Sequence, residues 1–353
     1  MNKKLNIAIM IGDFQPLTNK DVETIQHCLK AYDHTIIIST STNRRISIKR
    51  PFGFEPVKAW INEIFSDASE QNSMTISTIK DFNYNKQKWV SQVQDLVFSI
   101  FPRKDNIFYI VDSDKKSIKE NIKKIPNFFS DLFMPYPNQL HLSGPEIIEK
   151  WFKIEEVIDY VPLCVAKDLS SFRCTPYYAI PGFSKSFSTL LDEYSYYSKE
   201  KSDFSNYPYP NALKFYCADP VIVCNGSILL VQRAEDPGKD SWALPGGFVN
   251  ADESAEDAML RELVEETNLQ VPSELLKTLI KSSHVFDNPN RNIGIPRVSN
   301  AFYIELFSES STFPEVLGMD DAKDAKWIPL SEVRHMPLFD DHYDIIDFFT
   351  GAL

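Results

Sequence analysis

The 353-residue sequence has few cysteines, no excess of positive charge and no long hydrophobic run. Its five cysteines are odd in number and scattered without a CxxC pair, so we expect reduced thiols and a cytoplasmic protein. The formal net charge of −12 argues against a nucleic-acid partner, since nucleic-acid-binding surfaces are basic. The apolar run over residues 7–11 is too short for a signal peptide or a membrane span, so we expect no membrane partner.

The composition that remains is that of a globular protein, with 43% hydrophobic and 13% aromatic residues. The chain is too long for one typical hydrophobic core, which favours two domains. The hydrophobic pattern places the first domain at residues 1–180, a linker at 181–212 and the second domain at 213–353.

In the first domain, apolar runs alternate with helical patterns. The runs at 6–11, 33–40 and 106–112 are continuous, which is typical of parallel strands covered on both faces. Helical spacing follows them at 21–31, 56–65 and 87–100. This order predicts a doubly wound, Rossmann-like α/β domain whose ligand site lies beyond the carboxyl ends of the strands, beside Gly12.

The stretch 175–210 is rich in Ser, Tyr and Pro. We interpret it as a linker with one helix at 184–197 and a mobile polar segment at 199–210. Its tyrosines either pack between the domains or stack on a nucleotide base.

The second domain has shorter elements. Asn225-Gly226 between two apolar runs predicts a hairpin with a type I′ turn. Further strands are predicted at 297–306 and 325–329, and a closing helix at 341–349.

The most informative stretch of the second domain is a glycine loop that leads into an amphipathic helix. Gly246 and Gly247 allow a tight turn and a close approach to a ligand. We expect Asp252, Glu253 and Ser254 to open the helix, because acids suit its positive N-terminal end.

Three acids of this helix share one face. Glu262 lies three residues before Glu265 and four before Glu266, so the carboxylates are close and repel one another. A hard divalent cation such as Mg²⁺ removes that repulsion. A solvated acidic helix face is the alternative that the three residues alone leave open.

The spacing of the whole stretch favours a divalent-cation site over a solvated acidic helix face. Residues 247–266 read Gly-x5-Glu-x7-Arg-Glu-Leu-x-Glu-Glu, which resembles the signature of the Nudix hydrolases. That signature ends in Gly plus an aliphatic residue, and here the glycine is replaced by Asn268, the next best residue for a left-handed helix end. The resemblance implies a C-terminal α/β/α Nudix sandwich.

The Nudix resemblance also implies roles. Glu262, Glu265 and Glu266 are implied as catalytic metal ligands together with Gly246, for Mg²⁺ or Mn²⁺. Arg261 is implied to pair with Glu253 and hold the loop, including Gly247, to the helix beside the substrate. The general base is implied to come from an acidic loop before the last strand, with Glu315, Asp320 and Asp321 as candidates, or these are ordinary solvated acids.

A second resemblance lies in the first domain. The segment Gly12-Asp13-Phe14-Gln15-Pro16 after the first strand resembles the G-[RD]-FQP element of NMN adenylyltransferases. With both domains, the whole chain resembles the bifunctional NMN adenylyltransferase/Nudix hydrolases. The resemblance implies an N-terminal nucleotidyltransferase fold. The candidate nucleotide-binding residues in it are Gly12, Phe14, Gln15 and Lys20.

The first domain departs from its family at the phosphate-binding motifs. The HxGH positions are occupied by residues 18–21, without either histidine, and the Arg after the first Gly is Asp13. A GHxKD-like element corresponds to 112–116, and the SSTxxR element has only poor candidates at 143–145 and 170–173. We therefore predict that its ATP-binding motifs are degraded.

The architecture implies that the substrate is ADP-ribose, split to AMP and ribose 5-phosphate in NAD metabolism. Candidate substrate contacts are Phe286, for stacking on a base, and Arg291 or Arg297, for a phosphate. His284 lies in the same loop and is equally well explained as a structural residue.

Two alternatives remain at this level. In one, the chain also makes NAD from NMN and ATP, as a truly bifunctional enzyme. In the other, it is a regulatory protein that senses ADP-ribose without cleaving it. We expect a homodimer in either case.

Overall fold

The computed structural model describes residues 4–40, 44–70, 73–102, 105–111, 128–131, 142–173, 186–307, 312–336 and 338–352. Contacts divide the chain into two compact units. The first comprises residues 1–42 and 46–191, and the second comprises residues 43–45 and 192–353. In the described ranges no helix is long and apolar enough to cross a membrane.

The first unit contains a parallel sheet with the strand order β3-β2-β1-β4-β5. Its strands are β1 (Asn6–Gly12), β2 (His34–Ser39), β3 (Met74–Thr78), β4 (Ile107–Val111) and β5 (Phe128–Asp131). Ile7 and Ile9 of β1 and Ile36 and Ile38 of β2 are fully buried in one apolar cluster. The doubly wound α/β prediction is confirmed, because continuous apolar runs form strands that are covered on both faces.

The described helices of this unit cover both the predicted and additional segments. They are α1 (Asn19–Ala31), α2 (Phe54–Ile64), α3 (Ser66–Glu70), α4 (Lys86–Ile100), α5 (Gly144–Phe152) and α6 (Leu163–Phe172). The prediction missed β3, which has the sequence MTIST and is only half-buried. It lies at one end of the strand order, where a strand needs fewer apolar side chains.

Helix α7 (Phe187–Asp203) corrects the prediction for the linker. The predicted mobile segment begins at residue 199, but the helix continues to Asp203, and the contact boundary between the units lies inside it, after Leu191. Glu200 explains the extension, because its carboxylate accepts from the backbone N–H of Ile295 at 2.8 Å and pairs with Arg297 at 2.6 Å.

The second unit is built on a sheet with the strand order β10-β11-β6-β7-β12, to which β8 and β9 are added. Its strands are β6 (Phe215–Cys224), β7 (Ser227–Arg233), β8 (Trp242–Ala243), β9 (Gly247–Phe248), β10 (Ile280–Phe286), β11 (Arg297–Leu306) and β12 (Ala322–Pro329). β6 and β11 are parallel, and the other pairs are antiparallel. Asn225 and Gly226 both have positive φ, as the type I′ turn requires.

Helices lie on both faces of this sheet. They are α8 (Ala255–Thr267), α9 (Ser273–Thr278), α10 (Leu330–Val333) and α11 (His342–Thr350). Phe302 and Ile304 of β11 pack in one cluster with Met259 of α8, whereas Tyr303 between them stacks on Phe349 of α11. Because successive strand residues point to opposite faces, α8 and α11 cover opposite sides, and the predicted α/β/α sandwich is confirmed.

Candidate active site

Two glycines shape the loop that enters the site. Gly246 has φ +137°, and a Cβ there would lie 2.5 Å from Asp219 Oδ1 and collide with the carbonyl of Ala218. A Cβ on Gly247 would collide with the carboxylate of Glu262. Position 246 therefore requires glycine, and at Gly247 the loop backbone lies directly against an acid of α8.

Helix α8 begins later than the sequence predicts. Its N-cap is Ser254, whose hydroxyl accepts from the N–H of Asp257 at 3.1 Å, so Asp252 and Glu253 precede the helix. At the other end Asn268 is left-handed, with φ 46°, and its N–H donates to the carbonyl of Val264. The asparagine therefore ends the helix as predicted.

Arg261 joins the loop to the helix. Its guanidinium donates to both carboxylate oxygens of Glu253, at 2.7 and 3.1 Å, and to the carbonyl of Phe248 at 3.1 Å. It also donates to Glu262 at 2.8 Å and to Glu265 at 2.9 Å. The hydrogen bond from Arg261 lowers the pKa of Glu253 to about 2. The predicted pairing of Arg261 with Glu253 is present.

Glu266 is the buried acid of the site, with 5% of its surface exposed. It accepts the backbone N–H of Gly246 at 2.9 Å. Burial raises its pKa to about 9, with further contributions from the neighbouring carboxyls of Asp321 and Glu262. Burial likewise raises the pKa of Glu262. The site therefore concentrates carboxyl groups where water screens them poorly.

The acidic loop before β12 is tied to the end of α8. The N–H of Leu317 donates to the carbonyl of Thr267 at 2.8 Å, and the N–H of Met319 donates to the carbonyl of Glu266 at 3.0 Å. Of the three candidate bases, Asp321 is the one whose carboxyl contributes to the raised pKa of Glu266. All three candidates, Glu315, Asp320 and Asp321, are exposed.

A histidine that sequence reasoning missed holds the strand before the loop. Nδ1 of His342 accepts the N–H of Leu244 at 2.8 Å, and both groups are buried. Burial lowers the pKa of His342 to about 3, so the ring is neutral and can accept. The sequence carries no signal for this contact, because the two residues lie 98 positions apart.

The predicted base-stacking role of Phe286 is wrong. Phe286 ends β10 and is fully buried, with its ring against His284, Phe348 and Phe349. His284 stacks on Phe348 at 4.4 Å and is a packing residue. An alternating strand rather than a loop occupies this stretch, so the apolar Phe286 side chain faces the core.

The two arginines expected to bind phosphate have buried or half-buried partners within the unit. Arg291 donates to both oxygens of Asp341, at 2.9 and 3.0 Å, in a buried bidentate pair. Arg297 pairs with Glu200 at 2.6 Å. Both guanidinium groups are paired with carboxylates of the second unit, and phosphate binding by Arg291 or Arg297 stays a prediction.

The donor set fits a hard divalent cation in its chemistry. The carboxyl groups of Glu262 and Glu266 lie against the glycine loop, and a bound cation would stabilise the charged form of Glu266, which burial and the neighbouring carboxyls disfavour. Glu265 lies outside this group, with 47% of its side chain exposed and its carboxylate on Arg261. Among the described residues no three His, Cys, Asp or Glu side chains are already arranged around one ion position.

In the first unit, the candidate nucleotide residues stabilise the turn after β1. The side-chain amide of Gln15 donates to the carbonyl of Phe52 at 2.6 Å and accepts its N–H at 3.1 Å. Phe14 is buried with φ 51°, and its ring lies 3.3 Å from the Cβ position of Gly12. Lys20 lies in the first turn of α1, and its carbonyl accepts from the Thr24 hydroxyl.

The positions of the two missing histidines cap a helix. Thr18 is the N-cap of α1, and Asp21 completes a capping box with it, at 2.9 Å and 3.1 Å. The hydroxyl of Thr40 donates to Asp13, which also lies 3.6 Å from Arg50. These contacts place two carboxylates where an ATP-binding site needs cationic donors.

The two candidates for the SSTxxR element make structural contacts within the first unit. Ser143 is the N-cap of α5 and forms a capping box with Glu146. Arg173 donates to the carbonyl of Trp151 at 3.0 Å. The candidate at 112–116 lies outside the described residues.

Comparison with known proteins gives matches to both parts of the predicted architecture. The family model of the NUDIX domain matches residues 218–349. The ADP-ribose pyrophosphatase of Methanocaldococcus jannaschii is 34% identical over 128 residues, which are 36% of this chain and 68% of that protein. A nicotinamide/nicotinic acid mononucleotide adenylyltransferase of Acinetobacter baylyi is 35% identical over 104 residues, 30% of this chain and 54% of that protein. The chain thus spans about half the length of the latter relative.

Solved structures match over nearly the whole chain. A bifunctional NMN adenylyltransferase/ADP ribose pyrophosphatase from Francisella tularensis is 28% identical, covers 98% of this chain and 99% of its own, and has a TM-score of 0.86. A structure of such a protein from the same organism, complexed with AMP and Mn ion, has a TM-score of 0.85 at the same identity and coverage.

Proposed function

Because the chain belongs to the family of bifunctional NMN adenylyltransferase/Nudix hydrolases, we propose that its second unit is a Mg²⁺-dependent hydrolase that cleaves ADP-ribose to AMP and ribose 5-phosphate. The observation that carries this proposal is the buried carboxyl of Glu266 on the N–H of Gly246, beside Glu262 and Asp321. The name of the archaeal relative and the Mn ion of a matching structure support the substrate and the use of a divalent metal.

The residues divide the work as follows. Glu262, Glu266 and the backbone of Gly246 would hold the cation, and a bound cation would supply positive charge beside the diphosphate. Arg261 fixes the loop on the helix through Glu253 and the carbonyl of Phe248. A water molecule attacks phosphorus, and one P–O bond of the diphosphate bridge breaks. Asp321 takes the proton of that water, because it is the candidate base that lies beside Glu266.

The experiment is AMP release from ADP-ribose with Mg²⁺ for the intact chain, Glu266→Gln and the control Glu332→Gln. Glu332 is an exposed acid of α10. We expect at least a hundredfold loss for Glu266→Gln and wild-type rates for Glu332→Gln. Replacing Mg²⁺ by Mn²⁺ identifies the preferred metal. AMP release that is indifferent to Glu266→Gln would reject the assigned metal site.

We infer that the first unit does not catalyse adenylyl transfer efficiently. Support comes from Thr18 and Asp21, which cap α1 at the positions of the family's histidines, and from Asp13 beside Thr40. The assay is NAD formation from NMN and ATP, for which we expect no product above background. Measured turnover would instead establish the truly bifunctional alternative.

The same protein samples distinguish the hydrolase from the alternative of a protein that senses ADP-ribose without cleaving it. Tight ADP-ribose binding without AMP release in Mg²⁺ would favour a regulatory protein. We further propose a cytoplasmic homodimer, which light scattering of the purified chain and fractionation of cells test directly.

A further inference from the structure

An uncharged aromatic loop follows helix α7 in the second unit. Residues 204–213 read FSNYPYPNAL and carry no charged side chain, in a chain in which 24% of the residues are charged. Tyr209 is 70% exposed, Tyr207 is 44% exposed and Phe204 is 38% exposed. The N–H of Tyr207 donates to the carbonyl of Phe204 at 3.1 Å, and the N–H of Ala212 donates to that of Tyr209 at 3.0 Å. The loop therefore presents its aromatic rings to solvent on a hydrogen-bonded backbone.

A pocket of about 570 Å³ lies beside this loop, between the carboxyl-terminal half of α7 and the strands β6 and β9. Phe215 makes edge contacts with Phe204 and with Phe248, each with ring centroids 5.3 Å apart. The guanidinium of Arg297 lies over the rings of Phe215 and Phe248, and Glu200 pairs with that guanidinium at 2.6 Å. Phe248 is nevertheless 51% exposed. The pocket thus offers a fixed aromatic surface, which reduces the entropy cost of binding.

The charges around the pocket balance. Lys199 and Lys214 line it together with Glu200 and Asp203, so two cations stand beside two anions. The whole chain carries a formal net charge of −12, which repels a second copy except where the local charge is small. The cores of protein interfaces are depleted of charged residues and enriched in aromatic ones. The loop and the pocket therefore fit an uncharged aromatic partner surface better than a strongly acidic or basic one.

The loop has the chemistry that the pocket accepts. A tyrosine ring would pack on Phe248, and the lysines and acids around the pocket would offer partners to its hydroxyl. Phe204 belongs both to the loop and to the pocket wall, so loop and pocket lie side by side. A two-fold axis between two copies would bring each loop to the pocket of the other, which is the self-complementary arrangement of a symmetric dimer.

We propose that residues 204–213 and this pocket form the interface of a homodimer, in which Tyr209 of each copy lies against Phe248 of the other. The inference rests on the homodimer proposed above and assigns its surface. It does not depend on the hydrolase function.

Sedimentation velocity of the full chain, without metal or substrate, tests the interface. Wild type should be a dimer, and Tyr209→Glu should raise its dissociation constant at least about thirtyfold, the effect of losing an interface hot spot. The matched control is Phe307→Glu, at a ring of the same unit that is 77% exposed and does not line the pocket. It should leave the dissociation constant unchanged. A monomeric wild type, an unaffected Tyr209→Glu dimer or equal dissociation of both variants would overturn the inference.

A mixing experiment tests whether Tyr209 and Phe248 meet across the interface. Tyr209→Glu and Phe248→Ala each alter both of the symmetric contacts in their own dimers. In a dimer of one variant with the other, one contact keeps Tyr209 against Phe248. An equimolar mixture should therefore associate more tightly than either variant alone. An association strength between those of the two variants would place the two side chains in separate contacts and overturn the inference.

AMP release measured on the same samples separates failure of the interface from failure of the proposed hydrolase. A dimer that Tyr209→Glu dissociates, in a protein that releases no AMP from ADP-ribose, supports the interface and rejects the hydrolase. A wild type that releases AMP as a monomer supports the hydrolase and overturns the interface.

Discussion

At the scale of single residues, the site depends on a few side chains that serve several partners at once. Arg261 contacts three carboxylates and one carbonyl, and His342 supplies the acceptor for a buried N–H of the strand before the glycine loop. Neither residue touches the reacting phosphorus in the proposed mechanism. Both position the loop and the helix that carry the proposed metal ligands.

Replacing Arg261 should disturb the arrangement of the metal ligands. Arg261→Ala removes the links to Glu253, Glu262 and Glu265 together, and losing such supporting contacts typically costs about 10–100-fold in metal affinity or activity. We expect the Mg²⁺ concentration for half-maximal AMP release to rise by that factor. Arg334→Ala, at an exposed arginine of the same unit, is the control. An unchanged Mg²⁺ dependence would contradict the positioning role.

His342 should make the second unit sensitive to acid. Its pKa is about 3 in the folded chain and near 6.5 when unfolded, so the unfolded chain binds the proton more readily. The contribution of the neutral His342 to the free energy of unfolding is therefore fully present above pH 6.5. It is lost as pH falls towards 3, at up to about 1.4 kcal/mol per pH unit. Asp219 and Asp340, whose pKa burial raises to about 6, act in the opposite direction.

Comparing wild type with His342→Asn isolates the contribution of His342 to the pH dependence of stability, since Asp219 and Asp340 are present in both proteins. The difference between their free energies of unfolding, measured in urea from pH 7.5 to 5, should shrink as the pH falls. A difference that stays constant over this range would show that His342 does not titrate between the folded and unfolded states in this way.

At the scale of elements, the glycine loop is held by three neighbours. The carboxylate of Glu266 in α8 binds the N–H of Gly246, β6 pairs with β9, and the start of α11 binds the backbone of Leu244. These elements are distant in sequence, and together they fix the loop backbone on which the proposed metal ligands depend.

A side chain at Gly246 should break this arrangement. Gly246→Ala would place a Cβ 2.5 Å from Asp219 Oδ1 at a sparsely populated positive φ, and the backbone strain alone costs about 1–3 kcal/mol. We expect a lower melting temperature and loss of AMP release. Gly53→Ala is the matched control, because nothing lies within 4 Å of its Cβ position and it does not have a positive φ. Full activity of Gly246→Ala would reject the described loop geometry.

At the scale of the whole molecule, the second unit is not one continuous stretch of sequence. It includes residues 43–45, which interrupt the first unit in the chain. Arg45 pairs with the buried Glu193 at 2.5 Å, and Arg44 pairs with Asp344 at 2.5 Å. Cutting the chain before residue 192 would leave both acids without these partners.

Arg45→Leu tests the importance of this insertion. The change leaves the fully buried carboxylate of Glu193 without its cation, and breaking a buried ion pair from one side typically costs about 3–5 kcal/mol. We expect a loss of that size in the unfolding free energy of the second unit, followed by urea denaturation. Lys323→Leu, at an exposed ion pair, should cost less than about 1 kcal/mol.

Local sequence patterns were sufficient to predict several strands, one turn and the glycine loop. Apolar runs identified β1, β2 and β4, Asn225-Gly226 identified the hairpin turn, and the spacing over residues 247–266 identified the glycine loop with its acidic helix. Each rests on residues that are close in the chain, where strand and helix periods and turn chemistry act directly.

The contacts of the long side chains could not be predicted in this way. Phe286 and Arg291 have side chains suited to contact a substrate. In the fold, Phe286 is buried in the core and Arg291 pairs with Asp341, which is distant in sequence. Conversely, folding brings Asp321 to Glu266 and His342 to Leu244, and it forms a pocket from α7, β6 and β9. The physical reason is that burial and pairing depend on neighbours from remote parts of the chain, which no local pattern specifies.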